Sequence, residues 1–142
     1  MTFDDLRRAR DFLIDHRLNY DDALAGFTWP DVGANFNFAT DWFDSFARGN
    51  DTPGLVIVQD DGSRQSYSFA EPADRSDRVA KFLRSKGVGR GDAVMVMLGN
   101  QVELWESMLA LTKLGAVIMP TTAAVTSVEI LDRVESAAVR EP

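Results

Sequence analysis

Cysteine is absent from this chain of 142 residues, and histidine occurs only once, as His16. The lack of cysteine excludes disulfide bridges, thiolate zinc sites and cysteine nucleophiles. A single histidine also leaves no histidine pair for a metal ion or a proton relay. With 45% hydrophobic and 26% charged residues, the composition is otherwise that of an ordinary globular protein. We therefore expect a folded intracellular protein without a structural metal.

Long apolar runs are lacking as well. No stretch has the length of a membrane span, and the N-terminus carries Asp4 and Asp5 before any basic residue. A secretory signal would instead begin with basic residues and continue into an apolar run. These features predict a cytoplasmic protein with no transmembrane segment.

Positive charge is scarce in the first 61 residues, which hold twelve Asp and no Glu or Lys against five Arg. This stretch accounts for the whole net charge of −7, because residues 62–142 hold ten acids and ten bases. An acidic surface repels phosphate backbones, which removes the main source of non-specific affinity for nucleic acid. We therefore expect no nucleic acid partner.

Two helices are predicted at the start of the chain. The first runs from Phe3 to about His16, with Thr2 as its N-cap, because its apolar residues recur at helical spacing. Asn19 then caps a short second helix, which Gly26 ends.

A third helix is predicted to begin after Asn37 and to end at Gly49. The aromatic residues of this helix are spaced for one buried face, which we expect to pack against a sheet; they are Phe38, Trp42, Phe43 and Phe46. We group residues 1–50 as an N-terminal helical segment.

The hydrophobic period changes after this segment. Residues 55–68 read as a β-hairpin, since two strand-like runs flank a turn of Asp, Gly and Ser. Ser68 and Glu71 then have the spacing of a capping box for a helix that ends at Gly87. Pro72 removes an N–H group that the first turn of that helix would normally use.

A strand, a helix and a second strand follow with tight links. Residues 93–98 are apolar at every position, which predicts a strand buried on both faces. The helix spans residues 100–114, with Asn100 and Glu103 as its capping box, and the second strand spans residues 116–119. This βαβ unit predicts parallel strands and a right-handed crossover.

The last helix begins with a capping box of Thr126 and Glu129, and no further strand follows it. We therefore expect an α/β fold in which residues 51–142 are the incomplete start of a larger core. At least one apolar strand edge should lack its partner, and self-association through that edge would follow. Three apolar side chains should lack part of their cover: Phe82, Met108 and Leu131.

Few residues are placed for chemistry. The glycine-rich stretch 87–92 follows a helix and opens a strand, so it predicts a tight turn rather than a phosphate loop. Ligands of open α/β sheets bind beyond the carboxyl ends of the strands, which selects the loops 99–101 and 120–124. In the second loop, Thr121 and Thr122 are either solvated loop residues or ligand contacts. No catalytic constellation appears.

The stretches 66–71, 75–80 and 83–92, read in order, resemble the early core segment of adenylate-forming acyl-CoA synthetases, a family shared with luciferases and peptide-synthetase adenylation domains. Residues 111–120 are similar to the L-x-K-x-G-A-x-x-x-P segment of that family, and residues 126–134 resemble its next helix. Two further stretches are similar to the medium-chain and aromatic-acid CoA ligase branch, namely 36–39 with Trp42, and 103–106.

The resemblance implies a two-step ligase of fatty acid metabolism. A carboxylic acid attacks the α-phosphate of ATP to give an acyl-adenylate, coenzyme A displaces AMP, and Mg²⁺ balances the phosphates. The catalytic, ATP-binding and metal-binding motifs of the family do not occur in this sequence. One transfer is possible, because the loop after Pro120 borders the coenzyme A channel in the family, which points to Thr122 and Ala123.

Three interpretations stay open at this stage. The chain is the N-terminal portion of an ATP-dependent acyl-CoA synthetase, inactive by itself and without tight binding of ATP, coenzyme A or Mg²⁺. Alternatively, it is a truncated, non-catalytic binding or assembly module. The third interpretation is a free-standing small nucleotide-binding domain.

Overall fold

The computed structural model describes residues 3–138. The predicted α/β class is confirmed: N-terminal helices precede an antiparallel hairpin and a βαβ unit with parallel strands. The helices are α1 (Phe3–Asp15), α2 (Tyr20–Gly26), a π-helical segment (Phe38–Phe43) that continues into α3 (Asp44–Ala47), α4 (Ala70–Ser85), α5 (Val102–Leu114) and α6 (Ser127–Ala138). The strands are β1 (Pro53–Val58), β2 (Arg64–Ser68), β3 (Ala93–Val96) and β4 (Val117–Pro120).

The N-terminal helices form close to their predicted bounds. Asn19 caps α2, since its side-chain oxygen accepts a hydrogen bond from the backbone N–H of Asp22 at 3.4 Å. Asn37 caps the π-helical segment in the same way, by accepting from two backbone N–H groups of the first turn. Thr2, the predicted cap of α1, lies outside the described residues.

The aromatic residues of the third helix pack against helices and also border the hairpin, so the prediction that they cover a sheet is only partly right. Phe38 and Phe43 line a groove together with Trp105 of α5. The ring of Trp42 lies 5.1 Å from the ring of Phe3 on α1, measured between centroids. The reason is the size of the sheets: each has only two short strands, whereas α5 offers a longer apolar surface.

The hairpin and the start of α4 confirm their predictions. Strands β1 and β2 pair antiparallel, with Val58 opposite Arg64. The backbone N–H of Ser68 donates to a carboxylate oxygen of Glu71 at 2.8 Å, and the N–H of Glu71 donates to the Ser68 hydroxyl at 3.3 Å. Pro72 occupies the first turn of α4, where no intrahelical partner is needed, so the helix is continuous.

Strands β3 and β4 pair in parallel from Ala93 opposite Val117 to Val96 opposite Pro120. The predicted extension of the first strand to residue 98 is wrong. The strand ends at Val96, and the two residues after it are exposed because no neighbouring strand covers them. The prediction that this strand is buried on both faces is also wrong, because Ala93 is exposed although it pairs with Val117.

The predicted capping box of α5 is also wrong. The helix begins at Val102 with Gln101 as its N-cap, and no side chain caps it. Asn100 therefore precedes the cap position, out of register with Glu103.

The glycine-rich stretch forms the tight turn that was predicted. Gly87 and Gly91 adopt φ values of +92° and +85°, which glycine tolerates better than other residues. The N–H of Gly91 donates to the carbonyl oxygen of Gly115 at 2.9 Å, which joins this turn to the end of α5. Beside it, α4 and α5 pack through a small core of Ala80, Ala110 and Leu114.

Apolar surface is left uncovered in residues 3–138, as the sequence predicts. Each strand of the β3–β4 sheet has one partner within these residues, so each leaves an open edge. Phe82 is 59% exposed and Leu131 is 61% exposed, whereas Met108 is half-buried. No helix of the described residues is long and apolar enough to cross a membrane.

Candidate functional site

The candidate site lies at the edge of the β3–β4 sheet where both parallel strands end. The backbone N–H of Thr121 donates to the carbonyl oxygen of Val96 at 2.9 Å, which continues the strand pairing by one residue. The loop 97–101 after β3 and the loop 121–126 after β4 therefore start side by side. Thr121 is only 7% exposed, so it is a structural residue rather than the solvated one considered from the sequence.

Thr122 and Ala123 project from this edge into solvent. The Thr122 hydroxyl oxygen accepts a hydrogen bond from the backbone N–H of Ala124 at 3.3 Å, which folds the loop back as a turn. The hydroxyl group can still donate one hydrogen bond to a ligand. The exposed hydroxyl and the small neighbouring side chain give the edge a donor with open space beside it.

The strand-end loops carry no charged side chain. Residues 97–101 and 120–124 offer only amide, hydroxyl, thioether and backbone groups. Such groups can position a ligand by hydrogen bonds, but a general acid or base needs a titratable group within reach of the reacting atom. Within the described residues, these two loops therefore offer hydrogen-bonding groups but no titratable side chain.

The charged residues of the core meet instead at the opposite end of α5, in what we call the ionic cluster: Asp44, Arg48, Asp77 and Lys113. The ammonium nitrogen of Lys113 lies 3.0 Å from Asp44 Oδ2 and 2.7 Å from Asp77 Oδ1. It also donates to the carbonyl oxygen of Ala73 at 3.2 Å. The side chain of Lys113 is 7% exposed, so the cluster joins α3, α4 and α5 inside the protein.

Arg48 closes the ionic cluster from the solvent side. Its guanidinium lies 2.6 Å from Asp44 Oδ2 and 2.8 Å from Asp77 Oδ2. Burial raises the pKa of Asp77, but the hydrogen bonds from Lys113 and Arg48 outweigh it and leave that pKa below its ordinary value. The hydrogen bond to Asp77 in turn raises the pKa of Arg48 against partial burial.

A second ion pair crosses from α4 to α5. Arg75 lies 3.2 Å from the buried carboxylate of Glu106 and 3.4 Å from Glu71 of the capping box. Its guanidinium also sits over the ring of Tyr67, 5.6 Å from the centroid. These contacts hold β2 and α4 against α5, so they position the helix whose N-terminus borders the candidate site.

Residues 45–140 match the family described as AMP-binding enzyme. The chain belongs to the AMP-binding enzyme family. The human acyl-coenzyme A synthetase ACSM2B, mitochondrial, is 33% identical over 121 residues, which are 79% of this chain and 21% of that protein. The 4-coumarate–CoA ligase 3 of Oryza sativa subsp. japonica is 35% identical over 95 residues, which are 67% of this chain and 17% of that protein. The chain thus spans about a fifth of the length of the curated relatives it matches.

Solved structures show the same fold. The N-terminal subdomain of Klebsiella oxytoca NpsA, in complex with 3-hydroxybenzoyl-AMSN, aligns with a TM-score of 0.60 and 26% identity over 68% of this chain and 24% of that chain. The crystal structure of CmiS6 aligns with a TM-score of 0.62 and 21% identity, over 78% of this chain and 29% of that chain. The chain therefore has the opening portion of the N-terminal subdomain of adenylate-forming enzymes.

Within this AMP-binding enzyme fold, the ionic cluster is what sequence reasoning missed. Lys113 is identified only as part of the motif at residues 111–120, and neither Asp44 nor Asp77 is singled out. A signal was available, because Lys113 lies in an apolar helical run between Leu111 and Leu114. A lysine in such a run is expected to have buried acidic partners.

Magnesium, which the family resemblance implies, does not fit the residues described. Within residues 3–138, no three acidic or histidine side chains lie close enough together to hold a metal ion. Magnesium prefers carboxylate and phosphate oxygens, and the acids of the ionic cluster are already bound to Lys113 and Arg48. We therefore derive no step through a metal.

Proposed function

We propose that the chain is the N-terminal part of an ATP-dependent acyl-CoA synthetase that converts a carboxylic acid, ATP and coenzyme A to acyl-CoA, AMP and pyrophosphate. The observation that carries the proposal is the family match over residues 45–140, which includes the whole βαβ unit. Residues 1–50 are the N-terminal helical segment and residues 51–142 the start of the AMP-binding core. The activity would serve fatty acid metabolism.

The role of this chain in that reaction is to supply part of the coenzyme A channel. Thr122 and Ala123 are exposed beyond the ends of two parallel strands, where ligands of α/β sheets bind. The Thr122 hydroxyl would donate to an amide carbonyl of the pantetheine arm, and the small side chain of Ala123 would leave room for that arm. Neither residue handles a proton.

A chimeric enzyme tests this role. Residues 45–138 replace the aligned segment of human ACSM2B, and acyl-CoA formation is measured. We expect activity, and we expect Thr122→Phe in the chimera to raise the KM for coenzyme A while the KM for ATP stays unchanged. The control is Thr40→Phe, made in a chimera that starts at residue 35. It adds a phenyl ring to an exposed threonine that lies outside the strand-end edge, and both KM values should stay unchanged. Equal effects on both KM values would contradict the channel assignment, and a folded chimera that forms no adenylate would contradict the synthetase proposal.

By itself, the 142-residue chain should release no AMP from ATP in the presence of Mg²⁺, coenzyme A and a panel of carboxylic acids. Stabilising a transferring adenylyl group needs cations and donors aimed at it. The strand-end loops hold no cation, and Lys113 and Arg48 are paired with acids. Carboxylate-dependent AMP release by the purified chain would overturn this expectation.

The uncovered apolar surface favours a second candidate, a non-catalytic binding or assembly module. The β3–β4 sheet has open edges within the described residues, and α6 exposes Val128, Leu131 and Val134 along one face. Exposed strand edges and apolar faces recruit other chains. On this proposal the purified chain self-associates, and sedimentation over a concentration series measures it. A monomer at every concentration would count against the module.

We also propose a cytoplasmic location. It rests on the absence of cysteine, because disulfide bridges are common in secreted proteins and rare in the cytosol. Relatives such as ACSM2B are named mitochondrial, so cell fractionation with markers for both compartments is the deciding measurement. Recovery with the mitochondrial marker would overturn the proposal.

A further inference from the structure

A second apolar groove lies outside the strand-end site, between α1, the loop at residues 27–36 and the π-helical segment. Its volume is about 490 Å³, which is within the range of pockets for small organic ligands. Trp29, on one wall, is 83% exposed. Its other large apolar lining residues include Leu6, Leu13, Phe27, Phe36 and Trp42. We call it the N-terminal groove.

The N-terminal groove has two charged lining residues, and both are arginines. Arg10 is occupied, because it is paired with Asp11 at 2.5 Å and its guanidinium lies 5.7 Å from the Trp42 ring centroid. Arg17 forms no ion pair within residues 3–138. One of its terminal nitrogens donates to the carbonyl oxygen of Ile14 at 2.7 Å, which leaves the other terminal nitrogen and Nε free to donate.

We propose that the N-terminal groove binds an amphipathic monocarboxylate, with its apolar body against the aromatic wall and its carboxylate on Arg17. A guanidinium edge with two parallel N–H donors matches the two oxygens of a carboxylate. A ligand with one negative charge is favoured over a ligand with several, because the groove lies in an acidic stretch: the first 61 residues hold twelve Asp. A phosphate ester or another polyanion would fit less well, because one free arginine balances only one negative charge and the surrounding segment is acidic.

This site does not depend on the proposed function. All of its lining residues precede residue 45, where the family match begins. Loss of binding in the N-terminal groove would therefore leave the synthetase proposal untouched, and an inactive chimera would leave the groove untouched.

The test uses the whole 142-residue chain and decanoate below its micelle concentration, followed by calorimetry and by tryptophan fluorescence, to which Trp29 and Trp42 contribute. We expect saturable one-to-one binding of decanoate and much weaker binding of decanol, which has the same chain without the charge. Arg17→Ala should weaken decanoate binding about tenfold, and Arg17→Lys should weaken it less. Arg64→Ala, at an exposed arginine of the hairpin, should leave the affinity unchanged.

Several results would overturn the proposal. They are no saturable binding, equal affinity for decanol and decanoate, or an Arg17→Ala variant that binds like the wild type. A fluorescence change that depends on protein concentration without ligand, and that Trp29→Ala abolishes, would also overturn it, because a second copy of the chain would then fill the groove. Trp29→Ala guards against a folding artefact, since this exposed ring can be removed without opening the core; it should weaken decanoate and decanol alike.

Discussion

The two ends of helix α5 carry different kinds of polar chemistry. At the C-terminal end, Lys113 is buried and bound to two carboxylates and a carbonyl oxygen. At the N-terminal end, the loop 97–101 and the neighbouring loop after β4 carry no charge and are largely exposed. The same helix thus has one end fixed by ion pairs and one end flanked by exposed, uncharged loops.

This difference separates stability from binding. The ion pairs of the cluster hold α3, α4 and α5 together, and they leave neither Lys113 nor Arg48 free to act on a substrate. Asp44 Oδ1 is the one buried oxygen of the cluster that has no hydrogen-bond partner within the described residues. The exposed groups at the strand ends, such as Thr122, contribute little to packing, and the Thr122 hydroxyl is available as a donor. On the proposed function, the chain would supply a positioned surface for coenzyme A rather than a catalytic group.

Lys113→Ala should have the largest effect on stability, because it removes the cation that binds the C-terminal end of α5 to α3 and α4. Asp44 and Asp77 would stay in place with only Arg48 to balance them, and breaking a buried ion pair costs about 3 kcal/mol or more. We expect that loss in the free energy of unfolding, measured by urea denaturation. Lys81→Ala, at an exposed lysine of α4, should change stability by less than about 0.5 kcal/mol. Equal losses for both variants would show that the cluster does not fix α5.

Gly115→Ala should have the next largest effect. Gly115 ends α5 with φ of +70°, and an added Cβ would lie 3.3 Å from Cγ of Arg90. A left-handed conformation costs a residue with a side chain about 1–2 kcal/mol. The control is Gly99→Ala at the other end of the helix, where an added Cβ meets no atom within 4 Å. Thermal unfolding of both variants measures the difference, and an unchanged melting temperature for Gly115→Ala would contradict the strain.

The ionic cluster should also make stability depend on pH through Asp77. Its pKa in the folded protein lies below the ordinary value of 3.8, so its contribution is complete above that pH. The contribution is lost as the pH falls through 3.8 towards the lower folded pKa. Asp77→Asn should therefore flatten the fall in stability on acidification, by less than the Lys113→Ala loss.

Urea titrations at a series of acidic pH values measure that slope. Asp60→Asn is the matched control, since Asp60 is exposed in the hairpin turn and pairs with no cation among residues 3–138. Hydrogen bonds also lower the pKa values of Asp61 and Glu129. Both residues are present in both variants, so their contributions to the pH dependence cancel. A wild-type slope in Asp77→Asn would count against the ion pairing.

Local signals were enough for much of the fold. The capping boxes at Ser68 and Thr126 predict helix starts because the hydrogen bonds join residues three apart, and no distant contact is needed. The parallel pairing of β3 and β4 follows from the βαβ order, which restricts the connection between strands.

Contacts between distant residues were not predictable in the same way. Lys113 meets Asp44 across 69 positions of the chain, a pairing that no local pattern specifies. The end of β3 at Val96 was predicted wrongly, because an apolar run indicates that a strand is buried but does not indicate the residue at which its pairing ends. At the candidate site, topology placed Thr122 correctly at the strand ends, but only the structure shows that Thr121 is buried.

The smallest effects concern the caps of α6 and α5, the two helices that begin near the strand ends. Thr126→Ala should loosen α6, because the Thr126 hydroxyl donates to Glu129 at 2.8 Å and accepts from its backbone N–H. The expected cost is about 1 kcal/mol, read as faster amide hydrogen exchange in α6. Asn100→Ala should leave exchange in α5 unchanged, because the structure gives that helix no side-chain cap. Faster exchange at the start of α5 in Asn100→Ala would mean that Asn100 and Glu103 form the predicted capping box after all, and that the N-terminus of α5 is less open to a ligand than its geometry indicates.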